Sequence, residues 1–349
     1  MNWLMWRQYK KQLLIFVGIL GIFAAITIPF GVHFWNHYQD ILAVCTPTNS
    51  CQENGIRDIV FKTSIEGLVP SFVKLSLLAL PFFVGLFWGV PLIAKEYAEN
   101  THKLAWTQGI SRRRWLTAKL AWGLLAAAVY AGIFTALATW FSRTGNVINH
   151  DRFAELAFSS QAIVPIAATV FAVATGAMFG AWFKRLLPAL GATLGLLVVL
   201  QVAIPLVVRP HYQAMQTYTV SLNQEFESKG RHEFAPQGPA KQDWAIGTKQ
   251  VDSTGKALDP IHPPQQCIIN EEEVEKEVRG DKPRSSAFSL AGGPIIQVDC
   301  LVSLGYHWEV TYQPAYRYWN FQRIETALYL AMTSLMVLAT YWLVSKRDA

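Results

Sequence analysis

Six apolar blocks of about twenty residues recur along the chain, at 13–34, 69–94, 116–141, 163–183, 186–208 and 326–344. Each is long enough to cross roughly 30 Å of hydrocarbon as a helix. Composition agrees: 52% of the 349 residues are hydrophobic and only 15% charged, more apolar material than a soluble domain needs for its core. The chain therefore reads as an all-α membrane protein. The first block follows a basic N-terminus, but it is too long for the apolar core of a signal peptide and lacks a small-residue cleavage site, so it reads as a retained span.

Orientation follows from Lys and Arg. With the N-terminus inside, one face of the membrane holds Arg7, Lys10 and Lys11, then Lys95, Lys103, Arg112, Arg113, Arg114 and Lys119, then Lys184 and Arg185, then Lys346 and Arg347. Only Glu96, Glu99 and Asp348 oppose them. Both termini are thus expected in the cytoplasm and the chain in a bacterial inner membrane, with lipid as its surroundings. The same bias accounts for the net charge of +6, so nucleic acid is not expected as a partner.

All four cysteines, Cys45, Cys51, Cys267 and Cys300, then fall on the outer side, where thiols oxidise. Bridges Cys45–Cys51 and Cys267–Cys300 are expected as structural staples.

Four regions follow. Residues 1–12 mix Trp and Tyr with basic residues and suit an interfacial elbow helix. Residues 13–208 carry five spans, with a cytoplasmic loop at 95–115. Residues 209–321 turn polar and form an extracytoplasmic domain inserted between helices 5 and 6. Residues 322–349 hold the sixth span and a cytoplasmic tail. Within the insert, 294–298 and 308–312 have strand composition, and 270–279 reads as an exposed helix or a solvated acidic loop. Small residues at 175–181 and 191–195 let neighbouring helices approach closely.

No catalytic constellation stands out, and the chain is not expected to be an enzyme. Residues 247–256 resemble a phosphate loop only loosely: the spacing before Gly255 and Lys256 is too long, and Ala257 stands where Ser or Thr would hold magnesium. No cofactor is expected in this chain. If ATP drives the protein, another chain binds it. His33 and His37 share a helix face without a third ligand, so no metal is expected. Gln161 and Gln201 read as interhelical hydrogen-bonding groups.

The loop is the most specific segment. Thr101 can cap a short helix, Gly109 can end it, and Ser111 can cap the next. Leu104 and Trp106 offer apolar contacts among polar neighbours, which suits docking on a partner protein.

The run Glu96, Glu99, Thr101, Leu104, Trp106-Thr107-Gln108, Ser111-Arg112 and Lys119, with Trp6-Arg7-Gln8 at the start, resembles type-2 permeases of ATP-binding-cassette exporters, especially those of actinobacterial-like antibiotic and drug export. The resemblance implies a dimer with a second copy of this permease and two copies of a separate ATPase that carries ATP and magnesium. It implies a coupling helix at 101–108, seated in a cleft of the ATPase. Glu96, Glu99, Thr101, His102, Leu104, Trp106, Gln108 and Arg112 would then be the coupling residues, with Glu96 and Glu99 against the ATPase or the elbow. The expected function is outward movement of a hydrophobic or amphipathic substrate, such as a peptide antibiotic, drug or lipid. The alternative is an antimicrobial-peptide sensing or resistance module that signals through the ATPase without bulk transport. The long insert between the fifth and sixth spans departs from smaller members of that family.

Overall fold

A computed structural model describes residues 2–44, 64–99, 111–149, 153, 155–222, 239–240, 242–259, 262–269, 287–289 and 295–347. The chain divides into a spanning unit, Met1–Tyr212 with Tyr318–Ala349, and an inserted unit, Gln213–Arg317.

The spanning unit is helical. Helix α1 covers Asn2–Val44, α2 Ser64–Val84, α3 Val90–Ala98, α4 Arg112–Asn149, α5 Glu155–Ser159, α6 Val164–Phe183, α7 Leu186–Ala203 and α9 Tyr318–Arg347. A π-turn at Gly85–Gly89 joins α2 to α3, and another at Ile204–Val208 extends α7 into a 3-10 turn at Arg209–His211. Among the described residues, six segments are long and apolar enough to cross a membrane, which makes this a multi-pass membrane protein. Residues 2–12, expected as a separate elbow, run without a break into the first span as part of α1. No Gly or Pro interrupts the chain there to end a helix.

The core is centred on α6. Along its apolar window 83% of residues are buried, against 17% for the first and fifth spans, so α6 is wrapped by protein while those two present wide apolar faces. Its Ala and Gly residues permit this, because small side chains let backbones approach. A Cβ on Gly176 would lie 2.6 Å from the Gly85 carbonyl oxygen and 2.7 Å from the Val90 nitrogen, so α6 packs directly on the backbone of the first π-turn. A second layer of Phe16, Phe23, Phe34, Leu77, Tyr130 and Phe134 joins α1, α2 and α4. The Gln12 amide donates to the Phe87 carbonyl at 2.6 Å, so α1 supplies a partner to a carbonyl of the π-turn.

The inserted unit departs from the all-α expectation. Strands β1 (Gln216–Ser221), β2 (Trp244–Val251) and β6 (His307–Gln313) form an antiparallel sheet in the order β1-β6-β2. Strands β3 (Ile268–Ile269), β4 (Ala287–Ser289) and β5 (Ile295–Gln297) form a second sheet, followed by the short helix α8 (Val298–Ser303). Alternation drives the pairing: Trp308 and Val310 of β6 point into a core with Val220, Leu258, Ile296 and Leu301, while Glu309 points out. The stretches of strand composition thus become β5 and β6. Cys267 and Cys300 are bonded, with Cα atoms 5.4 Å apart, and tie the turn before β3 to α8. Closing a loop of this length stabilises a fold by about 3–4 kcal/mol. Cys45 and Cys51 lie outside the described residues, as do residues 270–279.

Candidate functional site

Two clusters of charge sit at opposite ends of the spanning unit. The first closes the base of the 95–115 loop. Glu96, near the end of α3, forms an ion pair with Lys119 on α4, whose ammonium also donates to the Leu92 carbonyl at 3.3 Å and lies 5.2 Å from the centre of the Trp115 ring. The Lys119 side chain is 2% exposed and Glu96 13%. Around them Leu92, Ile93, Tyr97, Leu116, Met178 and Leu343 pack together, and the Thr117 hydroxyl bonds Tyr341 at 2.7 Å, so four spans meet here. Ser111 caps α4 as its sequence suggests, its hydroxyl accepting from the Arg114 N–H at 3.4 Å.

The expected coupling residues divide accordingly. Glu96 is committed to Lys119. Glu99 ends α3 and reaches Lys95 at 3.9 Å on an exposed surface, where such a pair contributes little. Arg112 begins α4 and is half-buried. Thr101, His102, Leu104, Trp106 and Gln108 lie outside the described residues.

The second cluster was not singled out from sequence. Arg209, just past the π-turn that ends the fifth span, is fully buried, and Glu325 on α9 is 1% exposed. Arg209 Nε donates to Glu325 Oε2 at 2.9 Å and Nη2 to Oε1 at 2.9 Å, a bidentate pair. Arg209 Nη2 also reaches Ser159 Oγ at 2.7 Å, and the guanidinium lies 4.2 Å from the centre of the Phe158 ring. The Tyr212 hydroxyl donates to Glu325 Oε2 at 3.3 Å. Burial, with the Glu325 carboxylate beside it, pushes the pKa of Tyr212 well above its ordinary value, so the hydroxyl stays protonated and remains a donor.

One turn earlier on α9, Gln322 completes the arrangement. Its Oε1 accepts from the N–H groups of Ile163 at 3.3 Å and Val164 at 3.2 Å, and its Nε2 donates to the Phe158 carbonyl at 3.1 Å. Helix α6 has no side-chain cap of its own, so Gln322 satisfies amides that would otherwise be stranded in an apolar interior. Gln322, Glu325 and Tyr329 follow the spacing of one helix face, and that face meets α5, α6 and the end of the fifth span. The sequence signal was this i, i+3, i+7 polar stripe together with an Arg at the edge of an apolar block.

His33 and His37 have ring centres 6.1 Å apart, and no group of three metal-ligating side chains occurs among the described residues. Gln161 is buried at the entry to α6, and Gln201 lines a crevice beside Glu325. Residues 247–256 form the end of β2 and a turn.

The six candidate spans make this a multi-pass membrane protein. Residues 17–209 match the family described as ABC-2 membrane transporter related, and the chain belongs to that family. The match begins within the first span and ends on Arg209, near the close of the fifth. No curated protein and no solved structure matches the chain. Membership makes this chain the permease subunit of an ATP-binding-cassette exporter, partnered by an ATP-binding subunit.

Proposed function

We propose that the chain moves a hydrophobic or amphipathic compound outward, using ATP hydrolysed on separate subunits, with two permease copies and two ATPases in the working assembly. The termini and the 95–115 loop lie in the cytoplasm and the insert lies outside, in accord with the distribution of Lys and Arg and with the Cys267–Cys300 bond. The ATPase grips the segment around Thr101, Leu104, Trp106 and Gln108, and binds ATP and magnesium itself.

The observation that carries this reading is the buried Glu96–Lys119 pair. It ties together the two spans that enter and leave the loop. A displacement of the loop is therefore delivered to α3 and α4 as one body, which a loop joined to the bundle only by flexible chain would not do. Glu96 serves as a strut inside the permease, and contact with the ATPase falls to residues further along the loop.

Co-purification of the permease with its ATPase tests this reading. Leu104→Asp with Trp106→Asp is expected to abolish co-purification and substrate-dependent ATP hydrolysis in reconstituted vesicles. Full ATPase coupling in that variant would overturn the loop assignment. Ligand-stimulated hydrolysis by the unaltered complex, without ATP-dependent cargo movement, would replace export with sensing.

A further inference from the structure

Between the third and fourth spans the chain makes a short detour. Helix α5 ends at Ser159, and the residues up to Ile163 turn the chain into α6. Side chains from three different spans fasten this segment. From the fifth, Arg209 donates to Ser159 Oγ at 2.7 Å and lies against the Phe158 ring. From the sixth, Gln322 bonds the Phe158 carbonyl and the Ile163 N–H, and Tyr318 meets Phe158 edge-on with ring centres 5.4 Å apart. From the third, Thr139 Oγ1 accepts from the Ala162 N–H at 3.3 Å.

Ala162 is where the arrangement is strained. Its φ is +60°, in the left-handed region where a Cβ crowds the following carbonyl. Glycine adopts that conformation freely, yet alanine stands here. A non-glycine residue stays there only where its surroundings impose it. The bonds to Thr139 and Gln322 do so, and without them Ala162 relaxes to negative φ and the turn opens.

Ser159 also forms part of the wall of a crevice with room for about one water. Leu77 of the second span, Ala168 of the fourth, Gln201 of the fifth and Glu325 of the sixth line the same space. The segment thus closes a point where four spans converge, at the end of the spanning unit from which the insert departs. Separating those spans breaks its fastenings without any force applied to α5 itself.

We propose that α5 and the turn at 160–163 form a spring-loaded lid on this crevice, held shut by Arg209, Gln322 and Thr139 and released when their spans part. The proposal rests on the export reading above only for what passes the lid.

Thiol labelling of the full-length protein in lipid nanodiscs tests it. Ala168→Cys places a thiol in the crevice, and dilute methanethiosulfonate ethyltrimethylammonium, a polar reagent, reads how often water reaches it. The protein without the added thiol supplies the blank. Adding Ser159→Ala, which removes one fastening, is expected to speed labelling about tenfold by raising the open population. Adding Ala162→Gly instead, which relieves the strain, is expected to slow it about threefold. A turn that merely became more flexible would label faster with glycine, and that result would overturn the proposal. So would equal rates in all three proteins. Ala174→Cys, buried deeper in α6 and away from the crevice, is expected to stay unlabelled in every background. A rise there matching that at Ala168→Cys would mean general loosening and would also overturn the lid. The measurement needs neither ATPase nor ATP, so failed transport with these rate ratios intact would count against export and not against the lid.

Discussion

The spanning and inserted units both carry ion pairs, yet the same chemistry has a different weight in each. In the insert, Lys249 and Glu309 face each other across the β2–β6 ladder at 3.1 Å, with side chains 52% and 25% exposed. Such a pair, largely in water, is worth about 0.2–1 kcal/mol. In the spanning unit, Arg209 and Glu325 meet at 2.9 Å with side chains 0% and 1% exposed. Together the buried partners add little net stability over a well-packed apolar pair, but removing one alone costs about 3–5 kcal/mol because the other is left charged in a dry place. Exposure, more than the identity of the partners, decides whether a charge in this chain is optional or fixed.

The comparison breaks first, and with the largest effect, at Arg209. Arg209→Met is expected to destabilise the protein by about 3–5 kcal/mol, read as a fall in Tm in detergent or nanodiscs, by stranding Glu325. Arg209→Met with Glu325→Leu should recover most of that loss, since nothing charged then remains buried. A single variant as stable as the parent would mean that water reaches Glu325, and the contrast between the two units would collapse.

Lys119 and Glu96 provide an intermediate case that sharpens the contrast through an asymmetry. Glu96 keeps 13% of its side chain in contact with solvent and Lys119 only 2%. Removing the lysine leaves a carboxylate that can turn toward water, whereas removing the glutamate leaves an ammonium that cannot. Glu96→Leu is therefore expected to lower stability by about 2–3 kcal/mol and Lys119→Met by about 1 kcal/mol. Equal losses from both, by thermal unfolding, would show that relative exposure does not set the scale.

These residues also show what the sequence made legible. Among the described residues, the apolar blocks located the six candidate spans, and strand-like composition located β5 and β6, because apolar runs and β-branched or aromatic content track burial. The block ends did not locate the buried charges. The fifth block was read as ending at 208 and the sixth as beginning at 326, so Arg209 and Glu325 each fell one residue outside a span. In the structure the sixth span's helix begins at Tyr318, and a π-turn carries the fifth through to Arg209, with each charge neutralised by the other. Single-residue hydropathy counts a charge as a boundary and cannot see a partner 116 positions away. The π-turns were equally hidden: Gly85 and Gly89 sit inside an apolar block, and their role depends on the approach of Gly176 from another helix. By contrast, the resemblance at 95–115 rests on residues close in sequence, of which 100–110 lie outside the described residues.

The smallest effect belongs to a charge at the protein surface. Asp252, in the turn after β2, accepts from the Thr254 hydroxyl at 2.6 Å, the Thr254 N–H at 2.8 Å and the Lys256 N–H at 3.0 Å. The Thr254 hydroxyl chiefly, then the Lys256 N–H, holds its pKa below the ordinary carboxylate value. A carboxylate with a depressed folded-state pKa contributes stability that is fully present above its unfolded pKa, about 3.9, and is lost as pH falls through the lower folded value. At neutral pH the turn should therefore be insensitive to small changes in acidity. Thr254→Val removes the leading cause, so protection of the turn's amides from hydrogen exchange should fail at a higher pH than in the parent, with Tm at neutral pH nearly unchanged. An unchanged midpoint would assign the shift to the backbone N–H groups instead. A neutral-pH Tm loss as large as that of Lys119→Met would show that an exposed charge can matter as much as a buried one here.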